Sequence, residues 1–263
     1  MSFTTIEFTI EQGIATLTLN RPESLNSFTT LMHNEVREAL AQLQVQTNVR
    51  CLLITGKGRG FCAGQDLNDR AVDPNAPTPD LGESLEQRYN PLIRTLKALP
   101  MPVICAVNGV AAGAGANLAF ACDIVLAARS AAFIQAFCRL GLVPDSGGTW
   151  MLPRLVGQAR AMALSLLGDK VSAEQAEQWG MIWKSYPDEQ LMAEATRLAT
   201  HFATQPTKGL AYIKQAIQAS YHNTLDQQLD LERDLQRLAG RTSDYREGVQ
   251  AFLAKRTPQF TGQ

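Results

Sequence analysis

Apolar and polar positions alternate at the start of the chain. Ile6, Phe8 and Ile10 fall on one face of a strand. Past Glu11-Gln12-Gly13, Ala15, Leu17 and Leu19 fall on one face of a second strand, with Ile14 and Thr16 opposite. A period of two marks half-buried strands, and the short glycine-containing turn joins them as a hairpin. The pattern loosens through NRPESLNSF and becomes helical from about Thr29, with Val36, Leu40 and Leu43 at helix spacing. CLLITG (51–56) is apolar on both faces and runs into the glycine-rich GKGRGFCAGQDL.

Residues 71–82, AVDPNAPTPDLG, carry three prolines and a glycine and predict a mobile loop, read either as a flap over an active site or as a plain linker. A helix over about 84–98 leads to the strand VICAVNG, the small-residue run AAGAGANLAFA, and a third strand, DIVLAA. Apolar strands alternating with helices predict an α/β fold with parallel pairing, built as repeated strand–strand–helix turns rather than as a Rossmann sheet. Beyond residue 158 the pattern is helical throughout. SAEQAEQWG places Ser172 as N-cap, Gln175 as the other half of a capping box and Gly180 as C-cap. Amphipathic stretches follow over 207–221, 224–239 and 243–255. The division this predicts is an α/β core over 1–200 and a helical C-terminal region over 201–263.

Composition excludes several classes. Of 263 residues 45% are hydrophobic and 19% charged, the range of a globular domain. A net charge of −1 with scattered lysines and arginines argues against nucleic-acid or anionic-membrane partners. The opening MSFTTIEFTIEQG lacks a basic region ahead of an apolar core, which predicts no secretory leader and a cytoplasmic location. PVICAVNGVAAGAGANLAFACDIVLAAR has the length of a membrane span, but Asn108, Asn117, Asp123 and three glycines make it a buried strand–loop–helix–strand. Five cysteines without CxxC spacing read as reduced, buried thiols, and His33, His201 and His222 offer neither a Cys–His nucleophile nor a zinc site. No metal and no bound cofactor is expected.

Two segments share a design in which a buried strand ends and small residues carry main-chain amides toward a helix: FCAGQDL (61–67) and GVAAGAGANLA (109–119). Helix N-termini present unpaired N–H groups, and two converging on one point would make an oxyanion hole. The alternative is that the glycines only let a helix pack closely on a sheet. GxGxxG is not met, which speaks against a dinucleotide site.

Across the chain, LNRPESLNSF, GKGRGFCAGQDL, CAVNGVAAGAGANLAFACDIVLAA, LGLVPDSGGTWMLPRLVG and SAEQAEQWGMI resemble, in order, the crotonase (enoyl-CoA hydratase/isomerase) superfamily. FCAGQDLNDR with VDP, GLVPDSGGTWMLPR and DYREGVQAFLAKRTPQFTG resemble its branch acting on phenylacetyl-CoA ring-epoxides. The resemblance implies a crotonase-type spiral of β-β-α turns and an acyl-CoA substrate whose coenzyme A arrives with it. It implies a homotrimer or dimer of trimers formed through the C-terminal helices, with a hydratase of the same family as a candidate partner. It also implies that the Gln65 and Ala114 N–H groups grip the thioester oxygen, beside Ala63, Gly64, Leu67 and Gly113.

The two glutamates of family hydratases match Asn117 and Phe137 here, neither of them an acid or base. A carboxylate does occur at Asp145, in LGLVPDSGG. Hydration needs two groups, whereas isomerisation needs one that takes a proton and returns it elsewhere. The inventory is that of an isomerase, and the resemblance implies conversion of 2-(1,2-epoxy-1,2-dihydrophenyl)acetyl-CoA to oxepin-CoA in phenylacetate degradation, with a 3,4-to-2,3 double-bond shift as a related activity. Two oxyanion amides would supply roughly 5–8 kcal/mol toward the enolate, and desolvation by Leu140, Leu142 and Val143 would make Asp145 a stronger base. Asp145 as an N-cap for the following helix is the competing reading.

Asp66 reads as a helix cap or a substrate contact, and Asn117 as a substrate contact or a backbone tie. Tyr89 and Trp150 read as acyl-pocket walls or core. Arg21, Ser24 and Leu25 match the family region that meets the coenzyme A nucleotide, while Lys255 with Arg256 reads either as a contact to its phosphates or as a solvated basic helix end. Rival functions are an aliphatic Δ3,Δ2-enoyl-CoA isomerase and a non-catalytic acyl-CoA-binding partner of a hydratase.

Overall fold

The fold opens on the expected hairpin: β1 (Ile6–Glu11) and β2 (Ile14–Leu19) pair antiparallel around Gln12 and Gly13. Both turn residues have positive φ (50° and 79°), which suits the twist of a two-residue hairpin and suits glycine at the second position. This is a computed structural model, and it describes residues 3–70 and 80–263. α1 (Thr30–Val45) starts at Thr29, whose hydroxyl accepts the Met32 N–H. It buries Met32, Val36, Leu40 and Leu43.

Three strand–strand–helix units then stack. β3 (Cys51–Gly56) and β4 (Gly60–Cys62) are followed by α2 (Leu81–Ser84), a single wide turn over Leu85–Tyr89, and α3 (Asn90–Ala98). β5 (Val103–Val107) and β6 (Val110–Ala112) lead to α4 (Ala114–Ala121). β7 (Ile124–Ala128) and β8 (Ala132–Ile134) lead through a tight turn at Ala136–Leu140 to α5 (Gly148–Val156) and α6 (Gln158–Leu167).

The first strands of these units pair in parallel, Ile54 beside Cys105 and Cys105 beside Val125. The second strands form a separate parallel ladder, Val110 beside Gly60 and Ala132. The result is a six-stranded sheet (β1-β2-β3-β5-β7-β10) and a four-stranded sheet (β4-β6-β8-β9). Covered on both faces, the central strands carry fully buried Leu52, Ile54, Ile104 and Leu126. Each such side chain contributes roughly 1.5–3 kcal/mol of apolar transfer.

The helical reading beyond 158 needs correction. β9 (Lys170–Ser172) and β10 (Lys184–Tyr186) bracket α7 (Ala173–Gln178) and complete the edges of the two sheets. Strands of three residues are too short for alternation to register, and β4, β6 and β8 escaped the pattern for the same reason. Ser172 does cap α7 by accepting the Gln175 N–H, and Gly180 follows with φ 71°. The full reciprocal box belongs instead to Thr224 and Gln227.

Four helices finish the chain: α8 (Leu191–Ala203), α9 (Thr207–Ala219), α10 (Leu225–Ala239) and α11 (Ser243–Leu253). α8 runs across residue 200 and packs on the large sheet, with Leu191, Ala195 and Ala199 buried. The tail folds back: buried Asp244 accepts the Thr261 and Gly262 N–H groups at 2.7 Å each, and Arg50 donates to the Phe260 carbonyl. No helix among the described residues is long and apolar enough to cross a membrane.

Candidate active site

The two small-residue segments meet. Phe28 donates to the Gly64 carbonyl and accepts from the Asp66 N–H, so the chain through Gln65 lies extended beside Phe28 with the Gln65 amide turned outward. Ala114 is the first residue of α4, entered through Gly113 at φ 54°. A Cβ placed on Gly64 would lie 2.9 Å from the Ala112 carbonyl oxygen and 3.4 Å from the Ala114 nitrogen, which measures how closely the segments approach. Neither the Gln65 nor the Ala114 N–H has an acceptor among the described hydrogen bonds.

Two expectations change. Only α4 is a helix N-terminus at this site, because Gln65 is followed by one three-residue turn, Asn68–Arg70. The glycines also serve packing: a Cβ on Gly115 would stand 2.2 Å from the Cys62 carbonyl oxygen, so α4 rides directly on β4. The loop reading over 71–82 falls largely on residues 71–79, outside those described. Asp80 is described and caps α2.

Asp145 is half-buried in the turn ahead of α5. Its carboxylate accepts the Ser146 hydroxyl at 2.8 Å. Its carbonyl accepts both the Gly148 N–H and the Asn117 side-chain amide, each at 2.8 Å. The N-cap of α5 is Gly147, with no side-chain cap, so Asp145 does not cap that helix. The apolar neighbours do not enclose it within one chain: Leu140, Leu142 and Val143 are 57%, 40% and 75% exposed. Ile93 of α3 lies 3.8 Å from a Cβ placed on Gly147, which puts α3 against this turn.

Several residues read as ligand contacts are reassigned by the geometry. Asn117 is wholly buried, its Nδ2 on the Asp145 carbonyl and its Oδ1 accepting from Gln135 Nε2 at 2.8 Å. Arg21 pairs with Asp66 at 2.9 Å and donates to the Ser27 carbonyl at 2.6 Å, so neither side chain is offered to a ligand. Burial alone would raise the Asp66 carboxyl, but the Arg21 guanidinium and the Asn68 N–H together hold it below the usual carboxylate range. Tyr89 is 2% exposed, and its hydroxyl donates to Gln65 Oε1 at 3.0 Å while its ring meets His33 and Phe28. It braces the Gln65 segment.

Phe137 is buried with its ring beside Gly113. Ala63 and Gly113 are half-buried, and Leu67 is 59% exposed. Trp150 sits one turn into α5, edge-on to Tyr221, with Arg154 over its ring at 4.2 Å. These side chains border a cavity of about 390 Å3 that is also lined by Lys97 and Lys214. Ser24 and Leu25 lie in a loop clasped by fully buried Asn26, whose side chain ties Arg21, Lys57 and Gly60 together. Lys255 is exposed beyond α11, and Arg256 is paired with Glu247. The thiols are free, and burial pushes Cys51 and Cys62 up to about 12, which removes them as nucleophiles at neutral pH.

Sequence reasoning missed Gln135 and Ser146, which meet Asn117 and Asp145. The available signal was a glutamine inside the apolar run AAFIQAF, where a buried amide demands a partner.

Comparison with known proteins bears on this geometry. The family profile described as Enoyl-CoA hydratase/isomerase matches residues 9–263. The chain is 66% identical over 254 residues to the 1,2-epoxyphenylacetyl-CoA isomerase of Escherichia coli (strain K12), covering 97% of each. It is 47% identical, over the full length of both, to a probable enoyl-CoA hydratase of Rhodobacter capsulatus. A crystal structure of a putative enoyl-CoA hydratase/isomerase from Mycobacterium abscessus superposes with a TM-score of 0.92 at 33% identity, over 98% of this chain and 100% of the other.

Proposed function

The chain belongs to the enoyl-CoA hydratase/isomerase family, and from that membership we propose that it isomerises 2-(1,2-epoxy-1,2-dihydrophenyl)acetyl-CoA to oxepin-CoA, a ring-epoxide to a seven-membered oxygen ring. The observation that carries the reading is the inventory at the site. By motif Asn117 and Phe137 match the hydratase carboxylate positions, Asp66 is spent on Arg21, and Asp145 is a carboxylate tied through its carbonyl to Asn117, on the helix that starts at Ala114. The relative at 66% identity points to the same substrate class.

The Gln65 and Ala114 N–H groups hold the thioester oxygen, which takes up negative charge when Asp145 removes the proton from the carbon next to the thioester. The carbon–carbon bond shared by the epoxide and the six-membered ring breaks while both carbon–oxygen bonds stay, which places the oxygen within a seven-membered ring, and the electron pair left by the proton shifts the double bonds toward the ring. The proton returns to the substrate, so no atom enters or leaves. On a 3-enoyl-CoA the same transfer removes a proton at C2 and returns it at C4, shifting the double bond. A carboxylate a few ångströms from both carbons suffices, with no second acid.

Binding of the coenzyme A portion is assigned to the loop at Arg21, Ser24 and Leu25, through its main chain, and to Lys255. Self-association is assigned to the C-terminal helices, where Ile217, Leu229, Phe252 and Leu253 stay exposed in the single chain. Large apolar side chains left exposed on these helices favour burial against another copy of the chain.

The test is solvent-deuterium incorporation into the ring-epoxide product and into a 3-enoyl-CoA, for wild type and Asp145→Asn. Incorporation and turnover should fall by about 10² or more in the variant while acyl-CoA binding persists. Turnover equal to wild type would place the base elsewhere. Activity on aliphatic 3-enoyl-CoA without activity on the ring-epoxide would replace the substrate assignment but keep the mechanism.

A further inference from the structure

The helix that follows Asp145 has no side-chain cap, so something else must hold the turn that aims its carboxylate. We infer that Asn117 and Gln135 are positioning residues that set Asp145 through its main-chain carbonyl. The inference rests on Asp145 being the proton carrier.

The direction of the relay follows from its end. A carbonyl oxygen only accepts, so Asn117 must point Nδ2 at Asp145, at 2.8 Å. That turns Oδ1 toward Gln135, which must donate through Nε2, also at 2.8 Å. Neither amide can flip without setting oxygen against oxygen. Gln135 keeps this orientation although it leaves its own buried Oε1 without a hydrogen-bond partner among the described residues. An unmet buried acceptor is costly, so the orientation is held against an opposing preference.

Space has been made for the contact. A Cβ on Gly148 would stand 2.3 Å from Asn117 Nδ2, so a side chain at that position would displace the amide. With the Gly148 N–H on the same oxygen at 2.8 Å, both lone pairs of the Asp145 carbonyl are used and its peptide plane is fixed. The carboxylate is steadied from the other side by Ser146, a buried residue at φ 51°, whose hydroxyl donates to Oδ1 at 2.8 Å. Asn117 lies three residues past Ala114 on the same helix. The element that presents one oxyanion amide therefore also sets where Asp145 stands relative to it.

Asn117→Asp tests the relay with almost no change of shape. It keeps the acceptor for Gln135 and replaces the donor with an oxygen that repels the Asp145 carbonyl. Gln135→Met keeps length and removes the donor to Asn117. Both are compared with wild type, Asp145→Asn and the double variant Asn117→Asp/Asp145→Asn. The assays are kcat and KM on a 3-enoyl-CoA, deuterium exchange integrated over hours, and Tm.

The expected result is a loss of roughly ten- to hundredfold in kcat in each single variant, KM within about twofold of wild type, and a double variant no slower than Asp145→Asn alone. Wild-type kcat in both single variants, with Asp145→Asn inactive, would overturn the positioning role while leaving Asp145 in place. So would a double variant slower than Asp145→Asn by the full single-variant factor, because Asn117 would then act independently. Turnover retained in Asp145→Asn would instead remove the premise.

Discussion

Gly64→Ala is the sharpest test of how the two oxyanion segments converge, because the structure separates its two costs. The first is backbone strain: Gly64 has φ 89°, a conformation that costs a side-chain-bearing residue roughly 1–2 kcal/mol. The second is contact. The new Cβ would lie 2.9 Å from the Ala112 carbonyl oxygen, about 0.5 Å inside the 3.4 Å at which ordinary contact begins. The neighbour is main chain at the end of β6, and it cannot swing aside like a flexible side chain. Relief comes by parting the Gly64-Gln65 segment from Gly113-Ala114, whose amides are proposed to hold the thioester oxygen.

A 1 Å misplacement of catalytic groups costs on the order of 10²-fold, so a shift of about half that predicts a roughly tenfold loss of kcat. Stability should fall by roughly 2 kcal/mol. Gly13→Ala isolates the strain: its φ is 79°, but the new Cβ meets nothing closer than 3.4 Å and lies in the β1–β2 turn. It should cost stability on the order of 1 kcal/mol and leave kcat unchanged. The measurements are kcat, KM and Tm for both variants. Equal kcat in Gly64→Ala and wild type, at unchanged thermal stability, would refute the close approach of the two segments. Equal losses of kcat in both variants would show that strain rather than oxyanion geometry is being read.

Other outcomes follow from the charge network and the tail. Asp66→Asn leaves Arg21 without its partner and should destabilise the protein by roughly 3 kcal/mol. Since the Asp66 carboxyl is held below its ordinary 3.8 in the fold, its contribution is full above that value and is lost as pH falls through the folded value. The Tm gap between wild type and Asp66→Asn should therefore narrow as pH drops below about 4, and a gap that widens would contradict the ion pair. Glu247, held down to about 2 by Arg256 and the Gln259 N–H, ties the tail to α11. Glu247→Gln should speed amide exchange at Gln259 at neutral pH. In wild type the same loosening should appear only as pH falls below 4.5 toward 2, and exchange identical in both proteins at neutral pH would argue against the tie.

The sequence by itself determined the period-two hairpin, the helical spacing of α1, the apolar central strands and the cap at Ser172, because each is set within a few residues. It also determined the family, and its motifs name the groups proposed for the chemistry: Gly64-Gln65, Gly113-Ala114 and Asp145, with Asn117 and Phe137 matching the positions of the hydratase acids. Short strands such as β9 and β10 were not legible, because three residues become a strand only when a neighbouring chain supplies their hydrogen bonds.

The uses of Arg21, Asp66 and Asn117 were likewise decided by tertiary structure. A charged or amide side chain carries no mark of whether its partner will be a ligand or a residue far along the chain. Asp66 is neutralised by Arg21, 45 positions earlier, and Asn117 is oriented by Gln135 and Asp145, 18 and 28 positions later. Local sequence specifies which groups are present and where the backbone turns. Which of those groups face one another depends on how the strand–strand–helix turns stack, since long-range packing sets both the separations and the burial that make a polar group bind inward or outward.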